Sequence, residues 1–383
     1  MDRAVIVELV RPDSFVPAFC PRPECLEHQR RTGTLRYVPH GSYWRRCDGR
    51  IVPRFRCATC RCTFSQQSFA FSYYLKRPEL SRPIAAGLVA GSAHRQIARS
   101  LGCHHSTVTR RSHRLGRHAL LLHHTALRQL TVSEPVIVDD FDSFAGSQYF
   151  PCTLPTATGS NSWFLYGFAF ARERRRGSMS PVQKKRRAHL ERLYGRPPHG
   201  AVTAAFRSLL GSLPPARDRL SIVADDDPAI RRAVDALPHL HLSTYPNPER
   251  GPKGSRRTPQ ARERDAAMFA NDQLHRFLRH SEAAHRRETI AFGRSYNGLV
   301  DRLALFVVWR NLVQARSERH PKDGTTAMRL RLTDRPWSWP QVLAERLHPV
   351  RVQAGEEVMG HYRREMVTPP LPNERRHALS RAF

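Results

Sequence analysis

The chain has 383 residues, and its 63 lysines and arginines outnumber its 33 aspartates and glutamates, which gives a formal net charge of +30. All but five of the basic residues are arginine, whose planar guanidinium pairs bidentately with phosphate. A cationic excess of this size favours a nucleic acid as the partner. The sequence contains neither a phosphate-binding P-loop nor a dinucleotide glycine fingerprint, so no nucleotide cofactor is expected.

Length and hydrophobicity predict a soluble protein of two or three domains. Hydrophobic residues make up 40% of the chain, which is enough to build cores. The strongest apolar run, residues 303–309, is much shorter than the roughly 20 residues that a membrane span needs. The opening apolar run is interrupted by Glu8 and lacks the features of a targeting segment. We therefore expect a cytoplasmic protein with no membrane partner.

Closely spaced cysteines mark the N-terminal region. Four of them form two pairs, which are Cys20 and Cys25, then Cys57 and Cys60. Two such short turns supply the four tetrahedral thiolates of a structural Zn²⁺ site, and clustered cysteines in a reducing compartment indicate a metal rather than disulfides. Strand-type residues lie between the pairs, so a zinc ribbon is predicted. Cys47 and Cys62 are spare. Cys62 could replace Cys60, and unligated thiols are the alternative.

A helical pattern over residues 80–117 predicts a helix-turn-helix. Residues 81–90 form the first helix, Gly102 permits the turn after the second, and Ser106 suits the N-cap of the third. The first polar residues of a recognition helix enter the major groove of DNA. The candidates for that contact are His105, Ser106, Thr107, Thr109, Arg110 and Arg111. An ordinary helical hairpin is the alternative, although the arginines at 110, 111, 114 and 117 weigh against it.

Two acidic clusters each close a short apolar run that is typical of a buried strand. They are Asp139 and Asp140 after residues 135–138, and Asp225, Asp226 and Asp227 after residues 219–224. Carboxylates at strand ends suit Mg²⁺ or Mn²⁺, because these ions prefer oxygen ligands and keep positions open for phosphate. For each cluster the alternative is a helix N-cap or a solvated acidic turn.

The elements predicted beyond residue 134 alternate between strands and helices. We expect strands at 135–138, at 162–170 as one strand or a strand pair, at 219–224 and at 240–245, and helices at 201–213, from Pro228 and at 262–280. With a strand pair at 162–170, residues 219–224 form the fourth strand. This order is that of an RNase H-like domain, in which acids from the first and fourth strands and from a later helix hold two divalent ions. Basic stretches at 172–187 and 250–264 are expected on the same side as the acids, where they would hold DNA.

Taken in order, these motifs resemble bacterial insertion-sequence transposases that join a zinc ribbon, a helix-turn-helix and a DDE catalytic domain. The resemblance covers roughly residues 18–312 and rests on residues 138–146, 163–166, 223–228 and 278–295. It implies that Asp139 and Asp225 are the first and second catalytic acids. It also implies binding to double-stranded DNA, both element ends and target, by a homo-oligomer associated with the bacterial nucleoid.

The third acid departs from the family pattern, which has a glutamate on the helix before the Leu278-Arg279 step. Counting back from that step leads to Asp272, whose side chain is one methylene shorter. Glu288 and Glu282 are rivals further along the chain, and Asp140 and Asp226 are alternatives within the two clusters. The sequence also leaves open that there is no functional third acid. Such a protein would bind DNA without cutting it.

The predicted fold class is α/β, with an RNase H-like mixed sheet flanked by helices and preceded by a zinc ribbon and a helix-turn-helix. The expected boundaries are 1–72 for the ribbon, 73–130 for the helix-turn-helix, 131–320 for the catalytic domain and 321–383 for a helical or irregular extension. We expect residues 296–316 to form a core or dimer helix, and Trp337 and Trp339 to pack in a core. The predicted function is a DNA transposase with structural Zn²⁺ and catalytic Mg²⁺ or Mn²⁺. The alternatives are a catalytically inactive, DNA-binding regulator and a zinc-ribbon nuclease without strand transfer.

Overall fold

The computed structural model describes residues 15–249, 251–252, 254–286, 289–371 and 376. Its N-terminal part is a small antiparallel sheet with the strand order β1-β2-β3. The elements here are helix α1 (Leu26–Gln29) and strands β1 (Tyr37–Arg45), β2 (Arg50–Cys57) and β3 (Thr63–Ser65). The predicted strand-type segment between the cysteine pairs is thus the hairpin β1-β2. Strand β3 pairs with the other edge of β2.

Three helices follow the small sheet. They are α2 (Ser81–Val89), α3 (His94–Ser100) and α4 (His105–Leu127). Gly102 lies between α3 and α4 with φ +56°, a conformation that glycine adopts without strain. The predicted N-cap at Ser106 is wrong, because α4 begins at His105 and its N-cap lies two residues before Ser106. His104 caps α4, and its Nδ1 accepts a hydrogen bond from the Ser106 backbone N–H at 3.3 Å.

The second sheet is mixed and has six strands, with the order β6-β5-β4-β8-β9 and with β7 also paired to β5. The strands are β4 (Val136–Phe144), β5 (Pro151–Gly159), β6 (Leu165–Phe168), β7 (Ala171–Arg172), β8 (Leu220–Ala224) and β9 (Leu240–Thr244). The first strands are antiparallel neighbours, whereas β8 and β9 run parallel to β4. The coarser prediction, an α/β fold with a mixed sheet flanked by helices, is confirmed.

Helices cover both faces of this sheet. They are α6 (Ala201–Gly211), α7 (Pro228–Asp235), α9 (Phe269–Ser281) and α10 (Tyr296–Val308). Helix α5 (Pro181–Tyr194) is exposed and buries no residue, and α8 (Pro259–Ala267) packs beside α9. Phe141 packs with residues of α9 and α10 on one face, while Val138 packs with residues of α6 and α7 on the other. This alternation places successive residues of β4 on opposite faces of the sheet.

Strand β5 was not predicted from the sequence, because it contains two prolines that argue against a central strand. The structure accommodates Pro155 at a break in pairing. Residues 152–153 pair with β7, and residues 156–158 pair with β6. Pro155 lies between these two segments, where the Pro155 carbonyl accepts a hydrogen bond from the Ala169 N–H at 2.9 Å.

The single helix expected at 262–280 is two helices, α8 and α9. Met268 separates them, and its ψ of 4° departs from helical geometry. The break matters because it sets the direction in which α9 presents its first turn to the sheet.

The sequence left open whether residues 296–316 form a core helix or a dimer helix. Helix α10 is a core element. It is buried along almost its whole length and continues as a π-helical turn from Trp309 to Val313. It packs closely against α4, where a Cβ added to Gly116 would lie 2.4 Å from the Asp301 Cα. Helix α4 is therefore held inside the protein beyond its first turns.

The C-terminal region consists of short helices packed on the rest of the chain. They are α11 (Thr326–Arg329), α12 (Trp339–Val342), α13 (Pro349–Val352) and α14 (Glu356–Arg363). Trp337 and Trp339 pack against the main core, as expected. None of the helices that the structure describes is both long and apolar enough to cross a membrane.

Candidate metal and nucleic-acid sites

The four predicted cysteines converge at one point of the small sheet. Their sulfurs all lie within 4.8 Å of one another, with 3.6 Å between Cys20 and Cys60 and 3.9 Å between Cys25 and Cys57. Four thiolates bound tetrahedrally at about 2.3 Å would lie about 3.8 Å apart. The geometry therefore suits a metal such as zinc, and the predicted ligand set is confirmed as a cluster that can hold one.

The chemistry of this cluster also favours a cation. Cys20 and Cys57 are almost completely buried. Burial is the largest cause that raises the pKa of the Cys20 thiol above its usual value, because the apolar surroundings disfavour a thiolate. A bound divalent ion would reverse that preference by direct ligation.

The two spare cysteines lie outside the cluster. Cys47 is exposed, and the Cys62 thiol lies 3.6 Å from the Thr63 carbonyl. The alternative in which Cys62 replaces Cys60 is thus wrong. Burial raises the pKa of Cys62 as well.

Residues 15–72, which carry the four clustered cysteines and are called the cysteine module here, contact the C-terminal region of the chain. The Arg351 guanidinium donates to the His28 carbonyl at 2.7 Å and lies 4.1 Å from the centre of the Phe19 ring. Arg31 donates in return to the Arg351 carbonyl at 2.6 Å. The C-terminal extension therefore supports the fold of the cysteine module.

Asp139 and Asp225 come together where β8 ends beside β4, and the charge of Asp225 acts on Asp139. The expectation that the first strand ends before Asp139 is wrong, because β4 continues through Asp139 and Asp140 to Phe144. Val136 and Ile137 of β4 pair with Ile222 and Val223 of β8. Asp139 lies two residues beyond the last pair on β4, and Asp225 directly follows β8. Because the register is parallel, these two carboxylates come to the same edge of the sheet.

Asp139 is the most perturbed of these acids. Burial, followed by the charges of Asp140 and Asp225, raises the pKa of Asp139 to about 8. Its Oδ2 accepts a hydrogen bond from the Asn271 amide at 3.1 Å, and its Oδ1 accepts one from the Asp140 N–H at 2.8 Å. A carboxyl that is both buried and close to like charge is one that a bound cation would stabilise in its ionised form.

Asn271 is held in one orientation by buried hydroxyls. Its side-chain oxygen accepts hydrogen bonds from Thr156 at 3.1 Å and from Thr158 at 3.2 Å, so its NH₂ group faces Asp139. His275 lies one helical turn further along α9, 3.6 Å from Asp139. Burial lowers the pKa of His275 to about 3, so this contact is a neutral one and not an ion pair.

Asp225 carries the clearest sign of a missing partner. Its Oδ2 accepts a hydrogen bond from the Asn247 amide at 3.0 Å, whereas its Oδ1 is buried and has no hydrogen-bond partner within the described ranges. Burial and the charge of Asp227 raise the pKa of Asp225, while Arg264 opposes the shift. A buried oxygen without a partner, in a carboxyl that neighbouring negative charge also perturbs, fits a cation.

The remaining acids of the two clusters have other roles. Asp227 caps α7 by accepting from the Ala229 N–H, and Asp226 pairs with Arg231 on the surface. The N-cap alternative therefore holds for Asp227. Asp140 lies on the opposite face of β4 from Asp139, and burial followed by the charge of Asp142 raises the pKa of Asp140 to about 6.

The candidate third acid, Asp272, lies near Asp139 but is engaged by a cation. Its carboxylate accepts a hydrogen bond from Arg264, and its charge is among those that raise the pKa of Asp139. The α9 side chains in contact with Asp139 are instead those of Asn271, which donates a hydrogen bond to it, and His275. Over the described ranges, the cysteine cluster is the only group that places three or more metal-ligating atoms within 4.8 Å of one another.

Of the two rival acids, Glu288 lies outside the described residues and Glu282 is part of a buried ion pair. The Arg302 guanidinium donates to Glu282 at 2.6 Å and to the Leu88 carbonyl at 3.1 Å. Burial raises the pKa of Glu282 to about 7, and Arg302 opposes that shift. Glu282 is thus a structural residue, and its proposed catalytic alternative is wrong.

We expect Glu282→Ala to destabilise the protein, because it leaves the Arg302 charge buried without its carboxylate. The loss should be about 3–5 kcal/mol in the free energy of unfolding, measured by urea denaturation. Glu79→Ala is the matched control, since Glu79 pairs with Arg77 on the surface, and its effect should stay within about 1 kcal/mol. An unchanged unfolding midpoint for Glu282→Ala would contradict the structural role.

The predicted DNA-contacting residues divide into two groups. His105 and Arg110 are exposed, and Ser106, Thr107 and Thr109 are partly exposed at the start of α4. Arg111 is 5% exposed and donates to Ser81 and to the Arg77 carbonyl. The expectation that Arg111 reaches DNA is corrected by its inward direction. The arginines at 114 and 117 are buried as well, so they no longer argue against a plain hairpin.

The two basic stretches approach the acids at one end each. Arg264 contacts Asp272, and Arg176 lowers the otherwise raised pKa of Glu173, which lies near Asp140 and Asp142. The first stretch was expected to be a loop, but its second half is part of the exposed helix α5. Arg250 lies outside the described residues.

Three residues near the acids were not predicted, namely Asn247, Asn271 and His275. Asn271 and His275 are spaced four residues apart on α9, which places them on one face toward Asp139. That spacing was visible in the sequence, but the direction of the face was not. Comparison of the sequence with protein families and with curated proteins finds no match.

Proposed function

We propose that this protein is a DNA-binding enzyme of the transposase type, which breaks and joins DNA strands at the acids of the second sheet. The observation that carries the proposal is the meeting of Asp139, within β4, and Asp225, directly after the parallel strand β8. Each of these carboxyls has a raised pKa, and Asp225 has a buried, unpartnered oxygen. This arrangement supports a divalent-ion site of oxygen ligands.

The order of elements supports an RNase H-like domain. Four strands are followed by helices, then by β8, α7, β9 and the helices α8 and α9. The acids come from the first strand, from the end of β8 and from α9, which matches the order that the family resemblance implies. The net charge of +30 supports a polyanionic partner of the same kind.

In this proposal each group of residues has a separate role. Bound Mg²⁺ or Mn²⁺ would supply an activated oxygen nucleophile and stabilise the leaving oxygen. Asp139 and Asp225 would hold the ion, and Asn271 would orient the Asp139 carboxylate. Arg264 and the basic stretches would hold the phosphate backbone, and the start of α4 would contact base edges in the major groove.

A second candidate is a DNA-binding protein that does not cleave. It is favoured by the side chains that α9 presents to the acids. Asp272 is engaged by Arg264, and the α9 residue that hydrogen-bonds Asp139 is the neutral Asn271. A site completed by an amide in place of a third carboxylate holds less negative charge for two divalent ions.

A cleavage assay distinguishes the two candidates. We expect the zinc-loaded protein to nick labelled supercoiled DNA in the presence of Mg²⁺ or Mn²⁺ and not in Ca²⁺. Asp225→Asn should abolish nicking while DNA binding is retained, because this proposal assigns DNA binding to other residues. Arg264→Ala frees Asp272, and a gain of activity in that variant would identify Asp272 as a ligand. Binding without nicking by the native protein, by Arg264→Ala and with both metals supports the regulator.

A further inference from the structure

A second basic surface lies on the cysteine module, away from the acids. It is an open groove of about 800 Å³ between the small sheet and the segment that leads to α2. We call it the ribbon groove and define it by the residues Tyr43, Arg46, Arg54, Tyr73, Tyr74 and Lys76. The predicted DNA contacts at the start of α4 do not line it.

The charged side chains that define the ribbon groove are all cations and are available to bind an anion. Arg46 and Arg54 lie on the sheet side, and Lys76 lies on the opposite side. None of the three has a hydrogen-bond or ion-pair partner within the described residues, and no described carboxylate lines the groove. By contrast, the neighbouring Arg45 is buried and paired with Asp48. Three unpaired cations facing one cleft favour an anionic occupant.

The aromatic residues of the groove narrow the choice of occupant. Tyr74 is 78% exposed and lies against Tyr73, with 4.5 Å between their ring centroids. Tyr43, on the other wall, is 38% exposed. Nucleic-acid bases offer a flat face on which an exposed aromatic ring can stack, and the phosphates beside the bases suit the neighbouring cations.

Shape separates a single strand from other anions. A pocket for a small anion buries most of its ligand, whereas this groove has exposed walls and would cover its occupant on one side only. Duplex DNA keeps its bases stacked inside and could use the cations but not the tyrosines. A single strand exposes both phosphates and unstacked bases, so it can use both sets of side chains.

We propose that the ribbon groove binds single-stranded nucleic acid, with Tyr74 stacking on a base and with Arg46, Arg54 and Lys76 along the backbone. This inference goes beyond the proposed strand cleavage and does not depend on it, because it involves neither Asp139 nor Asp225. It assigns the cysteine module a binding role that differs from that of the helices after it.

Fluorescence anisotropy with a labelled oligothymidine and a labelled duplex tests the proposal on the full-length, zinc-loaded protein without added Mg²⁺. Tyr74→Ala should weaken oligothymidine binding about tenfold and leave duplex binding within about twofold. Tyr74→Phe should retain the affinity, since the ring remains. Arg54→Ala should reduce the slope of log affinity against log salt by about 0.7.

Two control variants separate this surface from general charge effects. Arg335→Ala removes an exposed cation outside the groove and should change neither affinity. Arg110→Ala at the start of α4 should weaken duplex binding and spare oligothymidine binding. Zinc content and thermal unfolding of each variant identify losses that come from misfolding.

Several outcomes would overturn the proposal. Equal losses for oligothymidine and duplex in Tyr74→Ala would identify a general phosphate surface. Polyglutamate that competes as well as oligothymidine would identify an acidic polypeptide as the occupant. Unchanged oligothymidine binding in both Tyr74→Ala and Arg54→Ala would place the single strand elsewhere. Absence of DNA nicking would overturn the proposed enzyme and leave this result unaffected.

Discussion

Replacing Cys57 with serine is expected to unfold the N-terminal module while the second sheet remains folded. Cys57 is 1% exposed and faces Cys25, so its loss removes a metal ligand and leaves a hydroxyl in an apolar site. A structural zinc ion contributes about 10–16 kcal/mol to the folding of small modules, and this module has only the small cluster around Phe55 and Phe64 as its core. We therefore expect the largest single effect on stability here.

Metal analysis and limited proteolysis measure this effect. The native protein should contain one zinc per chain, and Cys57→Ser should contain much less and be cut rapidly within residues 15–72. Cys47→Ser is the matched control, because Cys47 is exposed and lies outside the cluster. A zinc-free native protein with an intact module would contradict the metal site. Contacts of Arg351 with His28 should be lost together with the zinc, since they depend on the folded module.

Asp139→Asn is expected to stabilise the protein in alkaline solution and to remove its response to divalent ions. Burial and neighbouring carboxylates raise the pKa of Asp139 from 3.8 to about 8, so ionising this group costs free energy in the folded state. That cost is absent below about pH 4, grows as the pH rises and levels off above about pH 8. The variant should therefore match the native protein near pH 4 and exceed it by about 5 kcal/mol at pH 8, at about 1.4 kcal/mol for each pKa unit.

Divalent ions should stabilise the native protein more than Asp139→Asn. A cation held by Asp139 and Asp225 stabilises the ionised carboxyls, so millimolar Mg²⁺ or Mn²⁺ should raise the unfolding midpoint of the native protein more than that of Asp139→Asn. Asp226→Asn is the control, because Asp226 pairs with Arg231 on the surface. Thermal unfolding across pH 4–9, with and without metal, measures both effects. A native protein that gains nothing from metal at pH 8 would argue against the site.

Local patterns were enough to predict the cysteine cluster and the edge of the sheet where the acids lie. The spacing of Cys20, Cys25, Cys57 and Cys60 requires two tight turns, and thiols so placed have few partners other than a metal. Apolar runs that end in Asp139 and Asp225 predicted strands with carboxylates at their ends, which holds for β8, whereas β4 continues through Asp139. Both signals depend on residues close together in the chain, which is why they were visible in the sequence.

Tertiary structure decided what the sequence left open. A helical pattern shows that Arg110 and Arg111 are neighbours, but only the packing of α4 against α2 and α10 turns Arg111 toward Ser81 and leaves Arg110 in solvent. The break at Met268 sets the rotation of α9, and that rotation brings Asn271 to Asp139 and gives Asp272 to Arg264. Which face a helix buries depends on distant elements, because burial of apolar surface is settled by the whole core and not by the helix alone.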